Sequence, residues 1–461
     1  MNNTNMYCKA NMEDTIIHKG LWWMPDDEGK QIPGTLIIER DRIVLETIGS
    51  LGSESPMDHF VGDGVVQHDV IWGISSESKK ISIFNSHEAM TFNTSCPFST
   101  AKYTSQVVAV GKHIRSLNEP GNYDVKVYID ELPYWFNPNC LHYNGNEKLF
   151  TWSADLNNAH QVSVKIEDGC NLELQGEVHF SHTKTGMRVE VEQLSTLNFV
   201  FTKPVSMQDA KRKVFAFEQF LSFATLSPIQ YSRFQLVDKE NKTDTTKIWT
   251  IEILDKKEKK LGSPERYREY LFVYETIKDS FPSIIRRWYE EKNSFPIRAH
   301  LIDSVGHRGT FCSNDFLIVA QAVEGYYCRY KKDGLGITGI LKNLRRDFSD
   351  ITILELSDED IDCIRDSRHY FSHLLPPGKK EHVVDGLQLY NLNHKLRKLL
   401  LCCLLSFIGF SNEEINKIFA KSNNSFLRMI DKSKRDLEQT EPIKLEGDVL
   451  STTHSEEVVP E

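Results

Sequence analysis

The sequence predicts an α+β protein in which a β-rich N-terminal domain is followed by an all-α helical bundle, and three observations carry that reading. From about residue 15 to 205 the apolar residues alternate, or form short runs between turn residues, as half-buried strands require. At Ser206 the spacing becomes helical. From about residue 264 onward nearly every segment keeps that helical spacing. The expected divisions are a strand-rich domain over 1–205, connecting helices and a hairpin over 206–295, a helical domain over 296–425 and an acidic, disordered tail over 426–461.

Taken in order, the strand signals are "TLIIERDRIVLETIG", "DVIWGISSESKKISIFNS", "QVVAVG", "YDVKVYID", "VSVKIEDGCNLELQGEVHF" and "LNFVFTKP". Together they predict a sandwich or rolled sheet. Trp22 and Trp23 read as core aromatics and Pro33-Gly34 as a turn. "SMQDAKRKVFAFEQFLSFATL" is a helix with Ser206 at its N-cap, and "IQYSRFQLV" with "KIWTIEIL" forms a hairpin. Helices follow at "PERYREYLFVYETIKD", "FPSIIRRWYEEKN", "NDFLIVAQAVEGYYCRYKK", "GITGILKNLRRDF", "SDEDIDCIRDSRHYFSHLL", "LNHKLRKLLLCCLLSFIGF" and "SNEEINKIFAKS".

At 461 residues the chain is too long for one ordinary core. No apolar run reaches the roughly 20 residues a membrane-spanning helix needs, and "LLLCCLLSFIGF" reads as a buried core helix. The N-terminus has no basic-then-apolar secretion signal, so a cytoplasmic protein is expected. Its 9 cysteines are scattered without a CxxC pair, which suggests reduced thiols rather than disulfides or zinc. A net charge of -10 argues against a protein that coats nucleic acid through overall positive charge. That charge is uneven. Residues 431–461 carry nine acidic and four basic side chains, a balance of -5, whereas residues 281–400 carry eighteen basic and sixteen acidic, a balance of +2. A local anion site in the helical part is therefore compatible with the acidic whole.

The stretch "RDSRHYFSHLLPPG" closes one of these helices. Ser357 with Asp360 reads as a capping box, Asp358, Glu359 and Asp360 suit the positive end of the dipole, and Pro376, Pro377 and Gly378 stop the helix. His373 therefore lies in the last turn, where its charge can respond near neutral pH. Ile361, Ile364, Tyr370 or Phe371, and Leu375 supply a core stripe. Arg368 and His373 then stand about 140° apart around the helix. They converge only on something bulky or across an interface.

Three readings of these side chains compete. In the first they are a solvated face. In the second, Asp362, Asp366, His369 and His373 put two carboxylates and two imidazoles on one stripe as metal ligands for a hydrolase, although no glutamate follows His369 as in HExxH. In the third, an arginine grips a phosphodiester and a histidine moves a proton, which needs no metal because the 2′-hydroxyl of RNA can serve as nucleophile.

"RHYFSH", residues 368–373, resembles the R-[polar]-x-x-x-H signature of HEPN-domain ribonucleases, helical bundles that dimerise so that two motifs face one cleft. "FLIVAQAVEGYYCRY" looks like the first helix of that domain, which carries an acidic residue, here Glu324, toward the site. "GLWWMPDDEGKQIPGTLII" resembles the opening of the N-terminal domain of ApeA-like proteins, a bacterial anti-phage defence family with a C-terminal HEPN domain. The resemblance covers most of residues 15–425.

It implies Arg368 and His373 as the catalytic pair and Glu324 as an orienter of either, against the plain alternative of a partly exposed helix carboxylate. It also implies an RNA substrate, a homodimer through the HEPN domain, no metal or cofactor, and an N-terminal domain that senses a phage-derived trigger or restrains the nuclease. The residue after the arginine is often Asn in this motif and is His369 here, an accessory group that can itself titrate. Arg365 falls outside the motif and is either phosphate-positioning or a solvated charge. Arg345 and Arg346 either widen a positive rim for RNA or are surface charge. The remaining alternative is a helical interaction module without catalysis.

Overall fold

The strand pattern of the first hundred residues closes on itself. The computed structural model describes residues 15–422 and 427, apart from 40–41, 53–65, 92–99, 146–149, 155–160, 183–188, 242–244, 251–268, 291–294, 307–311, 332–333 and 377. In it β1 (Ile16–Trp23), β2 (Ile32–Ile38), β3 (Ile43–Ile48), β4 (Val66–Ser75), β5 (Lys80–Thr91) and β6 (Thr100–Ser105) form an antiparallel ring in the order β1-β2-β3-β6-β5-β4 and back to β1. Closure leaves no free edge. The barrel is filled by alternate residues, among them Trp22, Leu36, Ile43, Leu45, Ile71, Ile81, Ile83 and Tyr103. Trp22 lies where a Cβ on its cross-strand partner Gly73 would come within 2.2 Å of the indole, so only glycine fits there.

The barrel opens into a longer sheet because β5 divides its pairing. Its far end bonds to β6, while Ile81–Phe84 bond to β7 (Val107–Val110). From β7 the sheet runs through β15 (Thr245–Thr250), β14 (Arg233–Asp238), β8 (Tyr123–Tyr128), β13 (Val189–Phe201) and β12 (Cys170–His182) to β11 (Gln161–Glu167), thirteen strands in all. A short helix α1 (Leu132–Phe136) and a separate hairpin, β9 (Leu141–Gly145) and β10 (Phe150–Ala154), lie between β8 and β11 in the chain. The hairpin expected near residue 235 is β14–β15, and it sits inside the large sheet between β8 and β7.

One face of this sheet joins the helical half. α2 (Met207–Thr225), capped by Ser206 as the sequence predicts, buries Val214, Phe217, Phe220 and Leu221 in the same core as Val125, Val127, Leu197, Phe199 and Phe234. That core continues without a break through α3 (Tyr274–Ile277) and α4 (Phe281–Glu290) into the C-terminal bundle. Trp288 donates its indole N–H to the Ala216 carbonyl at 2.7 Å, and the Arg298 guanidinium, 1% exposed, stacks 4.1 Å over the Trp288 ring. The bundle consists of α5 (Phe295–Gly306), α6 (Cys312–Tyr330), α7 (Ile337–Asp347), α8 (Asp358–His373), α9 (Gly386–Ile408) and α10 (Asn412–Lys421). The expected core helix is α9, where Leu399 through Leu405 are buried without interruption.

Two local expectations are corrected. Pro33-Gly34 is not a turn but part of β2; the turn is at Met24–Lys30, and a Cβ on Gly34 would press on Trp22 and the Glu46 carbonyl. Among the described residues of the helix expected over 264–279, the α-helix runs over Tyr274–Ile277. Residues 264–268 lie outside the described residues, and Leu271 and Phe272 instead turn their backbone N–H groups to the Ala224 carbonyl, with both side chains in the core. Burial overrides local helical preference here. Of the disordered tail expected over 426–461, Leu427 is described and is buried in the core, and the rest lies outside the described residues.

Candidate active site

The helix α8 starts with the capping box expected of it: Ser357 Oγ accepts from the Asp360 N–H at 3.0 Å, and the Asp360 carboxylate accepts from the Ser357 N–H at 2.8 Å. It ends at His373. Leu374 adopts a left-handed conformation (φ 47°), and the Tyr370 carbonyl accepts from the backbone N–H groups of Leu374 and Leu375. The stop therefore precedes Pro376; Pro377 is outside the described residues. Ile361 and Ile364 are buried, as the stripe requires, and Phe371 packs at the edge of the core.

This orientation sets the two motif residues on different surroundings. Arg368 reaches across to α6, where its Nη2 lies 2.9 Å from Glu324 Oε2. The pair is half-buried, with 34% of the arginine and 20% of the glutamate side chain exposed. His373 is exposed and packs against His369, ring centroids 4.7 Å apart. Desolvation, then the charges of Lys380, His373 and Arg368, hold the His369 imidazole below its ordinary range, with Asp366 opposing. Glu324 and Arg368 thus meet within one chain, whereas His373 shares a contact with His369 instead.

The other charged residues singled out in the sequence are held elsewhere. Arg365 bonds to Asp362 Oδ1 at 2.6 Å and to Asp366 Oδ1 at 2.8 Å. Its guanidinium therefore stands between the two carboxylates of the metal-ligand stripe, and among the described residues no group of three His, Cys, Asp or Glu is placed to hold a metal ion. Arg345 donates to the Leu356 carbonyl at 3.2 Å and to Asp358 at 3.0 Å, at the N-terminal end of α8. Ten residues of helix put that end roughly 15 Å from Arg368. Arg346 is exposed and bonds to Asn343 at 3.1 Å. The arrangement does not bring Arg345 to the motif.

Two neighbours of the site escape a reading of the motif. Asp366 and Ser367 are buried polar side chains on the core side of α8, 4% and 0% exposed. Arg365 first, then His382, hold the Asp366 carboxyl well below the usual carboxylate range, against the effect of burial. A signal for Ser367 existed: it stands three residues after Ile364 and four before Phe371, on the apolar stripe, where a polar residue needs a partner.

A family model described as ApeA N-terminal domain 1 matches residues 17–288, and one described as Apea-like HEPN matches residues 317–414. The first covers more than half of the 461 residues. Neither the curated proteins nor the solved structures contain a significant match. Among the described residues no helix is long and apolar enough to cross a membrane. The strand-rich first half leads through a shared core into a helical bundle whose matched segment contains Glu324, Arg368 and His373, and the chain belongs to the ApeA family, with an ApeA N-terminal domain 1 followed by an ApeA-like HEPN domain.

Proposed function

We propose that this chain is a metal-independent endoribonuclease acting in bacterial anti-phage defence, in the cytoplasm, with Arg368 and His373 as its catalytic pair. The observation that carries the reading is the Arg368–Glu324 ion pair at 2.9 Å, which fixes the guanidinium of the RxxxxH motif at the surface where α6 and α8 meet. A guanidinium so held can neutralise a phosphodiester without first ordering a long, mobile side chain. Arg365 between Asp362 and Asp366 supports a site that works without a metal, because the carboxylates are already compensated.

The chemistry needs a base and an acid. A neutral His373 imidazole takes the proton from the 2′-hydroxyl as its oxygen bonds to phosphorus, and a protonated His373 of the partner subunit gives one to the departing 5′-oxygen. The products are a 2′,3′-cyclic phosphate and a 5′-hydroxyl. Arg368 stabilises the charge that builds on the phosphate oxygens, and Glu324 orients Arg368. The angle of about 140° between Arg368 and His373 around one helix suits a two-fold homodimer in which each subunit lines one edge of the cleft. His369 is a neutral polar neighbour of His373. The N-terminal domain senses a phage-derived trigger or restrains the nuclease through the core it shares with the bundle.

The purified protein is expected to cut RNA in the presence of EDTA. Arg368→Ala and His373→Ala are each expected to lower cleavage by about a hundred- to ten-thousandfold without unfolding. Loss of activity on chelation would instead point to a metal-dependent hydrolase. A protein that cuts no RNA, and whose two variants still protect cells from phage, would be an interaction module.

A further inference from the structure

The chain that leaves α8 doubles back and is fastened to the buried side of that helix. Asp366 accepts from the backbone N–H of His382 at 3.3 Å and lies 3.1 Å from its Nδ1. Ser367 Oγ, fully buried, accepts from the backbone N–H of Val384 at 3.1 Å. Polar groups buried in a helix face are costly unless bonded, and both of these are directed at one short stretch of backbone. That stretch begins at the last residue of "KKEH", residues 379–382. Lys379 is exposed and Lys380 half-buried, and among the described residues neither forms an ion pair. The charge of Lys380 acts on the imidazole of His369, which also feels Arg368 and packs at a tilt against His373. The fastening therefore returns the chain that carries these two lysines to α8, with Lys380 near enough for its charge to act on His369.

We propose that Lys379 and Lys380 form a second phosphate-binding element, gripping the backbone of single-stranded RNA next to the phosphodiester held by Arg368, and that Asp366 and Ser367 position it. This rests on the ribonuclease reading above. A lysine is suited to the role because an ammonium is a compact point charge that follows a phosphate without demanding one bidentate geometry. The element binds and aligns; proton transfer stays with His373. The placement also accounts for two polar residues on the core side of α8, which packing alone would fill with apolar side chains.

The test uses full-length His373→Ala protein, which retains the surface but cleaves too slowly to consume the probe, and a fluorescein-labelled single-stranded RNA oligomer followed by anisotropy across a salt series. Adding Lys379→Ala and Lys380→Ala is expected to raise Kd about tenfold and to flatten the slope of log Kd against log salt by about 1.4, the loss of two phosphate contacts on a single strand. Lys380→Arg should restore part of the binding. In the cleaving protein the two alanines should raise KM more than they lower kcat, and Asp366→Asn, checked for folding by circular dichroism, should move KM in the same direction. Unchanged Kd and salt slope in the double-lysine variant, with RNA still bound by the parent, would overturn the proposal and leave the ribonuclease reading intact. A parent that binds no RNA and a wild type that cuts none would overturn both.

Discussion

Glu324 Oε2 lies 2.9 Å from Arg368 Nη2, and this one ion pair joins the two helices that carry the candidate site. Because both groups are partly exposed, the pair contributes about 1 kcal/mol or less to stability. Its effect on placement is larger, since misplacing a catalytic group by about 1 Å can cost on the order of a hundredfold. Glu324→Gln is therefore expected to lower single-turnover RNA cleavage by about ten- to a hundredfold while the urea midpoint barely moves. Equal losses in both would make the pair structural.

Mixed dimers test whether the motif residues act across subunits. If the proposed dimer forms, co-expressed Arg368→Ala and His373→Ala chains give heterodimers in which one composite half-site keeps an intact arginine from one chain and an intact histidine from the other. Activity above that of either variant alone, but well below wild type because one His373 is left to serve as base or acid, is the expected result, measured on heterodimers isolated with two affinity tags. Activity at the level of the single variants would mean that each chain needs its own pair or that cleavage needs both histidines, and a monomer that cleaves RNA would exclude the shared site.

Two positions beside the site hold conformations that their residue types do not favour. Gly325 lies within α6 next to Glu324, with nothing within 4 Å of an added Cβ. Leu374, 86% exposed, takes a left-handed backbone that suits glycine. Gly325→Ala should stabilise the protein by about 0.5–1 kcal/mol, and Leu374→Gly by about 1 kcal/mol through relief of strain. Urea unfolding measures both. A Gly325→Ala protein that is more stable yet cleaves RNA poorly would show that RNA or a second copy approaches this face closely.

Asp366 links stability to acid. Its folded pKa is depressed, chiefly by Arg365, so its contribution is present in full above the pKa of an unfolded aspartate, about 3.9, and is lost as pH falls below that value. Hydrogen bonds to a charged, buried acceptor set the contribution on the order of 1–2 kcal/mol. Asp366→Asn is expected to lower the melting temperature at pH 7 and to make it less dependent on pH below about 4. Parallel wild-type and variant curves through that range would show that Asp366 titrates alike in both states.

Much of the organisation was legible in the sequence because it is written in local periods. Alternation gave away the strands, helical spacing the bundle, Ser357 with Asp360 the start of α8, and the run Leu399–Leu405 a helix buried on all sides. The resemblance of "RHYFSH" to the HEPN motif singles out Arg368 and His373, whereas their spacing by itself leaves other readings open. What only the tertiary structure decided depends on contacts between residues far apart in the chain: that six strands close into a barrel before β7 carries the sheet onward, and that Leu271 and Phe272 abandon helix to enter the core. The pairing of Arg368 with Glu324, forty-four residues earlier, belongs here as well. A period along the chain fixes which face of an element is apolar, but the partner that a charged side chain meets is chosen by how those faces pack, because charge pairing needs a separation of a few ångströms that no local pattern records.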